Sequence, residues 1–222
     1  MALTIHQPQF GRISEGELAL WRKTPASIIS DELNRSCTLQ SAIRPLQSDV
    51  GVAGQALTVQ CMVGDNAPIH YAVTLAWPGC VMMVDGRGHT DTALFGEILA
   101  EAALARGVAA VVIDGAVRDA AELKRSDLYV YARGIVPNGP HKGFGGAINA
   151  PIQCAGVNVH PGDLVVGDDD GVVVIPPDKM DGLRERCDAR IAAEAERIER
   201  IQAGASTVEL LGFPPADKIG SQ

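Results

Sequence analysis

Apolar residues form three short continuous runs in the middle of the chain, at 80–84, 108–113 and 128–132. Short apolar runs bounded by glycine, proline and acidic residues are typical of buried strands. Between the first two runs, apolar residues recur at helical spacing from about 92 to 106, and Gly107 ends that segment. A turn at 114–119 and a short helix to about 125 precede the third run. This order predicts a βαβ core with parallel neighbouring strands.

The flanking segments are shorter and less regular. Thr24 followed by Pro25 predicts the N-cap and first residue of a helix. The pattern also predicts a strand at 56–63, a short helix at 68–76, a polar loop at 85–91, a glycine-rich loop at 138–146 and β-hairpins within 151–175. The last strand should stop at Pro176.

A long charged helix is predicted after this β-region, capped by Asp178 and running to Ala203 before Gly204. Its few apolar residues indicate a peripheral helix that reaches a neighbouring subunit. We therefore expect one domain over residues 1–222, with its core at about 25–177 and the extended C-terminal helix at about 178–203.

Composition narrows the class of protein. The 222 residues carry a net charge of −8 and contain no dense Lys/Arg run, so a nucleic-acid partner is not expected. Five scattered cysteines without a CxxC pair predict neither a zinc site nor a disulfide framework. The N-terminus lacks the apolar core of a signal peptide, and no apolar stretch reaches the roughly 20 residues that span a bilayer. The expectation is a cytoplasmic enzyme with no membrane partner.

The adjacent residues Arg118 and Asp119 are the sharpest chemical feature, because they follow a buried strand and a glycine turn. Ligands commonly gather beyond the carboxyl ends of strands in open α/β sheets. A guanidinium can bind a carboxylate or a developing oxyanion, and an Asp can hold Mg²⁺. The alternative is a surface ion pair, or a cap on the following helix.

Weaker signals surround this pair. Gly96 and Glu97 stand at or near a helix start, where free N–H groups favour anions, although Glu97 could equally face solvent. Lys142 could add positive charge near an anionic substrate. The acidic triplet at 168–170 lacks calcium-loop spacing and predicts a hairpin turn. No GxSxG motif supports a serine hydrolase, and no lysine in a predicted buried strand supports a Schiff-base aldolase.

Together, three segments resemble the RraA-like family, which contains 4-hydroxy-4-methyl-2-oxoglutarate/4-carboxy-4-hydroxy-2-oxoadipate aldolases. They are Gly96-Glu-Ile-Leu99, the DGAVRD segment ending at Asp119, and the PGD…DDDGVVVIP segment within 156–177; the similarity spans roughly residues 50–205. The resemblance implies an αββα sandwich related to the swivelling phosphohistidine domain. It also implies a homotrimer or dimer of trimers with active sites between subunits.

The resemblance further implies roles for individual residues. Arg118 matches the substrate-binding Arg and Asp119 the metal-binding Asp, with Mg²⁺ or Mn²⁺ as cofactor. The backbone from Gly96 through Glu97 and Ile98 to Leu99 would hold the pyruvyl carboxylate, with Lys142 as a further contact. An adjacent subunit would lend Glu194 from its C-terminal helix, with Glu196 and Glu199 as alternatives.

The implied activity is a class II pyruvate aldolase that cleaves a 4-hydroxy-2-oxo acid and also decarboxylates oxaloacetate. The family also contains non-catalytic regulators of ribonuclease activity that act by protein binding. Those regulators are generally shorter and need neither the metal-binding Asp nor the long C-terminal helix, so both features here favour the enzyme. An enzyme of this fold acting on another substrate, such as a sugar-derived acid, is a third reading.

Overall fold

Eleven strands and seven α-helices make up the part of the chain that the computed structural model describes, residues 2–216. The strands are β1 (Ala2–Ile5), β2 (Arg44–Pro45), β3 (Val52–Cys61), β4 (Val81–Phe95), β5 (Ala110–Val117), β6 (Tyr129–Ile135), β7 (Gly145–Ile148), β8 (Ile152–Cys154), β9 (Val157–Val159), β10 (Leu164–Asp168) and β11 (Gly171–Ile175). The helices are α1 (Glu15–Trp21), α2 (Ala26–Glu32), α3 (Ala67–Leu75), α4 (Glu97–Leu104), α5 (Ala120–Arg125), α6 (Leu183–Gln202) and α7 (Thr207–Leu211).

The main sheet runs in the order β1-β7-β3-β4-β5-β6-β2. Its centre, β3-β4-β5-β6, is parallel, which confirms the predicted βαβ core. The three apolar runs lie in β4, β5 and β6, where side chains are buried on both faces of the sheet. β10 pairs antiparallel with the start of β3, and β11 pairs with β10.

Four layers stack around the central strands. On one face, alternate residues such as Met82 and Val111 pack against α3, α4 and α5. On the other face, Met83 and Val112 pack against the hairpin strands β8 to β11. Helices α1, α2 and α6 then cover the outer side of β10 and β11, with Trp21 in that core. The result is the αββα sandwich with a long C-terminal helix that the sequence analysis expected.

The segment after the first apolar run differs most from its prediction. Residues 85–91 belong to β4, which continues to Phe95, and α4 begins only at Glu97. Three register shifts between β4 and β5 accommodate this irregular stretch. Leu94 and Phe95, assigned to a helix by their spacing, are buried strand residues. The predicted loop at 85–91 was therefore wrong, whereas the helix predicted from about 92 to 106 is present but begins only at Glu97.

Both predicted helix caps were also wrong. Pro25 is the N-cap of α2, while the Thr24 hydroxyl donates to Leu20 O at 3.2 Å. Asp178 lies in a short 3₁₀ turn that ends at Lys179, and the N-cap of α6 is Gly182, with φ +62°. The glycine-rich region at 138–146 also contributes the first residues of β7.

Helix α6 is held to the body of the protein near its start. Leu183 and Cys187 are buried, and Arg190 pairs with Asp31 at 2.7 Å and Glu32 at 3.1 Å. Beyond Arg190 the helix is largely exposed, including Ile198. Across residues 2–216, none of the helices combines the length and the apolar character needed to cross a bilayer.

Candidate active site

The ends of β4 and β5 create the site. Phe95 and Val117 are paired in register, and the Arg118 N–H donates to Phe95 O at 2.9 Å. The chain then leaves both parallel strands on the same edge of the sheet. This geometry brings the Gly96–Glu97 step beside Arg118 and Asp119.

Asp119 turns its carboxylate away from its own helix. It is the N-cap of α5 but makes no side-chain cap bond, and its backbone is left-handed, with φ +56° and ψ +43°. Its Oδ2 instead accepts from the Glu97 N–H at 3.0 Å and lies 3.6 Å from Arg118 Nε. Left-handed non-glycine residues are uncommon and cluster at functional sites. The backbone conformation thus directs this carboxylate towards the start of α4.

Gly96 leaves room for the side chains of Arg118 and Asp119. A Cβ at this position would lie 3.0 Å from Arg118 Cγ and closer still to Asp119 Oδ2. Its φ of −162° and ψ of −170° are open to any residue, so the requirement for glycine is steric. At the adjoining start of α4, the Glu97 N–H donates to Asp119 Oδ2 and the Leu99 N–H to Gly96 O at 3.1 Å, so that of these first three residues only Ile98 has an N–H without a partner among residues 2–216.

A cavity of about 90 Å³ opens between these elements. Its lining comes from α3, the end of β4, α4, the start of α5 and the 138–144 loop; it includes Asn66, His70, Gly96, Ile98, Leu99, Arg118, Asp119, Pro140 and Lys142. This volume is several times what one water molecule needs. The cavity therefore suits the end of a small acid.

The charged groups of this cavity favour an anion. Arg118 and Lys142 supply two positive charges against one from Asp119. Burial lowers the pKa of His70, and the nearby Lys142 lowers it further, so that imidazole is neutral at pH 7. The site thus carries positive charge although the whole chain is acidic.

Comparison with known proteins identifies the family. The profile of the RraA-like family (Aldolase/RraA) matches residues 26–174, more than half of the chain. A protein of Halalkalibacterium halodurans named "Putative 4-hydroxy-4-methyl-2-oxoglutarate aldolase" is 37% identical over 82% of this chain and 86% of its own length. This chain belongs to the RraA-like family.

Two solved structures share the RraA-like fold. Streptomyces coelicolor RraAS2, described as an unusual member of the RNase ES inhibitor RraA protein family, is 25% identical, with a TM-score of 0.74, over 86% of this chain and 100% of that one. The RNA-processing inhibitor RraA from Thermus thermophilis is 30% identical, with a TM-score of 0.64, over 69% of this chain and 93% of that one.

Most of the residues predicted for an RraA-like site do meet. Gly96, Ile98, Leu99, Arg118, Asp119 and Lys142 all line the same cavity. The Glu97 side chain instead lines a neighbouring groove with Glu101 and Glu122, and only its backbone N–H touches Asp119. Glu194 lies on α6, where its carboxylate is 3.4 Å from Arg190 Nε, and it is not among the cavity residues.

Asn66 and His70 were missed by the sequence analysis. Asn66 belongs to the Gly64-Asp65-Asn66 turn after β3, and its Nδ2 donates to Leu94 O at 2.9 Å. His70 lies in α3, the helix that follows this turn. The signal that could have pointed to this side of the cavity is a Gly-Asp-Asn triplet that follows a strand and precedes a Pro-containing helix start.

The donor set fits a hard cation held by a single carboxylate. Within residues 2–216, no three His, Cys, Asp or Glu side chains cluster as a metal site. In the same part of the chain, the contacts of the Asp119 carboxylate all go to Oδ2, and Oδ1 accepts no hydrogen bond. Mg²⁺ commonly uses one or two carboxylates and fills its remaining positions with water and ligand oxygens. Asp119 thus fits Mg²⁺ or Mn²⁺ better than zinc, which needs three or four protein ligands.

A second, larger cavity of about 660 Å³ lies beyond the aligned strand residues Gln60, Asp85 and Asp114. Asp114 is fully engaged there by Arg133 Nε at 2.6 Å and by the Ala155 N–H at 2.8 Å. Burial raises the pKa of Asp85, partly offset by the Arg87 N–H. The polar 85–91 segment contributes to this cavity rather than to the one beside Asp119.

Proposed function

We propose that this protein is a divalent-metal-dependent lyase, a class II pyruvate aldolase that cleaves a 4-hydroxy-2-oxo acid and also decarboxylates oxaloacetate. The observation that carries the proposal is the convergence of Arg118, Asp119 and Gly96 at one small, positively charged cavity. The relative named as an aldolase supports the same reaction class.

Each residue has a distinct task in this proposal. The backbone at the start of α4, through its free Ile98 N–H, and the Lys142 ammonium bind the carboxylates of the substrate. The Arg118 guanidinium donates to the C2 oxygen, whose negative charge grows as the C3–C4 bond breaks. Asp119 would hold Mg²⁺ or Mn²⁺, which when bound supplies a Lewis acid for the 2-oxo acid.

The proton leaves the C4 hydroxyl as the C3–C4 bond breaks, and its electron pair becomes the new C4 carbonyl. The electrons of the C3–C4 bond pass to C3 and C2 as an enolate, and C3 then takes up a proton to give pyruvate. We assign Glu194 and, from the groove beside the cavity, Glu97 to position the water that removes the C4 hydroxyl proton.

Glu194 can serve only if it comes from another copy of the chain. Its own helix is pinned by Arg190 to α2, while the outer part of that helix is exposed. We therefore propose active sites between subunits, in the homotrimer or dimer of trimers that the family resemblance implies. Light scattering after size exclusion checks this assembly, and a monomer would contradict it.

A coupled lactate dehydrogenase assay tests the function. We expect pyruvate from oxaloacetate and from 4-hydroxy-2-oxo acids with Mg²⁺, and none with EDTA. Asp119→Ala should abolish turnover, whereas borohydride with pyruvate should not trap the protein, because no Schiff base forms. Full activity of the Asp119→Ala variant would refute the assignment.

The second candidate function is regulation of a ribonuclease by protein binding, which the Thermus thermophilis relative favours by its description as an RNA-processing inhibitor. This candidate predicts tight binding to a protein partner and no pyruvate from any oxo acid tested. The same coupled assay therefore separates the two functions.

A further inference from the structure

The turn that ends β3 contains a fully buried carboxylate. Asp65 has an exposed fraction of 0% and lies between Gly64, with φ +72°, and Asn66. An ionised carboxylate is expensive to bury unless its oxygens accept hydrogen bonds. The partners of Asp65 therefore show what this turn holds in place.

Two of the three partners of Asp65 lie in the loop that carries Lys142. Its Oδ2 accepts from the backbone N–H groups of Gly143 and Phe144, the latter at 3.0 Å, and its Oδ1 accepts from the Ala67 N–H at 2.9 Å. Burial alone would raise the pKa of Asp65, but these three N–H groups outweigh it and hold the pKa below its ordinary value. Asp65 is thus a charged anchor for the loop backbone.

At its start the loop is held to β4, where the Ala93 N–H donates to Asn138 O at 2.8 Å and Asn138 Nδ2 donates to Asp91 O at 3.0 Å. Two backbone bonds join it to the turn that contains Asp65, from the His141 N–H to Gly64 O at 2.8 Å and from the Asn66 N–H to His141 O at 3.1 Å. A Cβ on Gly143 would meet no atom within 4 Å, and Phe144 is 58% exposed. Side-chain packing therefore contributes little to the conformation of this loop.

Lys142 stands between His141 and Gly143, both of which bond to the turn at Gly64–Asn66, and it lines the cavity beside Arg118. Within residues 2–216 it forms no ion pair, so its ammonium is available to an anion. We propose that Asp65 is a positioning residue, which fixes the backbone on the C-terminal side of Lys142 so that its ammonium meets a carboxylate of the substrate. This inference rests on the proposed function.

The decisive variant is Asp65→Asn. An amide offers one acceptor oxygen, so the variant side chain could not accept from the Ala67 N–H and from the two loop N–H groups at once, and any bonds it keeps would lose the charge of the carboxylate. We expect KM for oxaloacetate to rise about tenfold, the loss typical of one charge-assisted contact, with a much smaller change in kcat. Hydrogen exchange at the Gly143 and Phe144 amides should also become faster.

Asp163→Asn is the matched control. Asp163 is also a buried carboxylate, 2% exposed, and it accepts from the His160 N–H at 2.8 Å, but it does not line the cavity. This variant should leave KM unchanged even if it lowers stability. If Asp65→Asn does not fold, Gly143→Pro removes one donor at an open position and should raise KM in the same way.

A double-mutant cycle with Lys142→Met tests whether Asp65 acts through Lys142. If it does, Asp65→Asn should have little further effect on KM once Lys142 is methionine. Additive effects, or an unchanged KM in Asp65→Asn with a normal loop exchange rate, would overturn the inference. Absence of pyruvate release by the wild-type protein would instead overturn the proposed function, while hydrogen exchange would still report on the anchor.

Discussion

Replacing Gly96 with alanine adds one methyl group against the side chains of Arg118 and Asp119. The new Cβ would lie 3.0 Å from Arg118 Cγ and 3.3 Å from Asp119 Cγ, with Asp119 Oδ2 nearer still. Because alanine adopts the extended backbone of Gly96 without strain, the side chain of Asp119 has to move.

The cost follows from the contacts that such a movement breaks. Asp119 Oδ2 loses the 3.0 Å bond from the Glu97 N–H, and a bond to a charged group is worth roughly 1.5–3 kcal/mol. A displacement of about 1 Å in a positioned group costs on the order of 100-fold in rate, or about 2.7 kcal/mol. Asp119 is partly exposed, so the free energy of unfolding should change by less than about 1 kcal/mol.

The assay compares kcat/KM for oxaloacetate decarboxylation with unfolding in urea. Gly16→Ala is the control, because its Cβ would meet only Ser14 Oγ at 4.0 Å. This helical substitution should raise stability by about 0.5–1 kcal/mol and leave kcat/KM unchanged. If Gly96→Ala kept kcat/KM within about threefold of wild type, the steric argument for Gly96 would be refuted.

Three further predictions concern other parts of the molecule. Burial raises the pKa of Asp85, so the native state binds the carboxyl proton more tightly than the unfolded chain, and stability falls as pH rises above the unfolded pKa of about 3.9. Asp85→Asn should therefore be more stable than wild type at pH 7, and thermal unfolding should show this advantage vanish below about pH 3.9. Tyr131→Phe should cost about 1 kcal/mol in urea unfolding, because the buried hydroxyl donates to Asp168 O at 3.0 Å; an unchanged midpoint would contradict this. If Glu194 acts on a neighbouring subunit, mixing inactive Asp119→Ala and Glu194→Ala proteins should restore activity, whereas Glu196→Ala alone should remain active. No recovery of activity in proven mixed oligomers would exclude a contribution of Glu194 to the neighbouring site.

The strand core was predictable because its signal is local. Continuous apolar runs mark strands buried on both faces, and β4, β5 and β6 follow them. The stretch from Asp85 to Phe95 was not predictable, since its register shifts depend on the pairing partner. Leu94 and Phe95 have helical spacing by coincidence, while their burial comes from the sheet.

The candidate site was predictable only in part for a similar reason. Strand-end logic and the family resemblance identified Arg118 and Asp119, whose convergence needs only two parallel strands in register. The left-handed backbone of Asp119 and the steric role of Gly96 arise from contacts between segments. The role of Asp65 was not predictable, because its two partners in the loop lie 78 and 79 residues away along the chain.

The most direct test of the account is a Mn²⁺ titration followed by the electron paramagnetic resonance signal of free Mn²⁺, with wild-type and Asp119→Ala proteins in the presence of pyruvate. The account predicts one bound Mn²⁺ per wild-type chain and loss of that binding in the variant. Equal binding by both proteins would contradict the claim that Asp119 holds the metal beside Arg118.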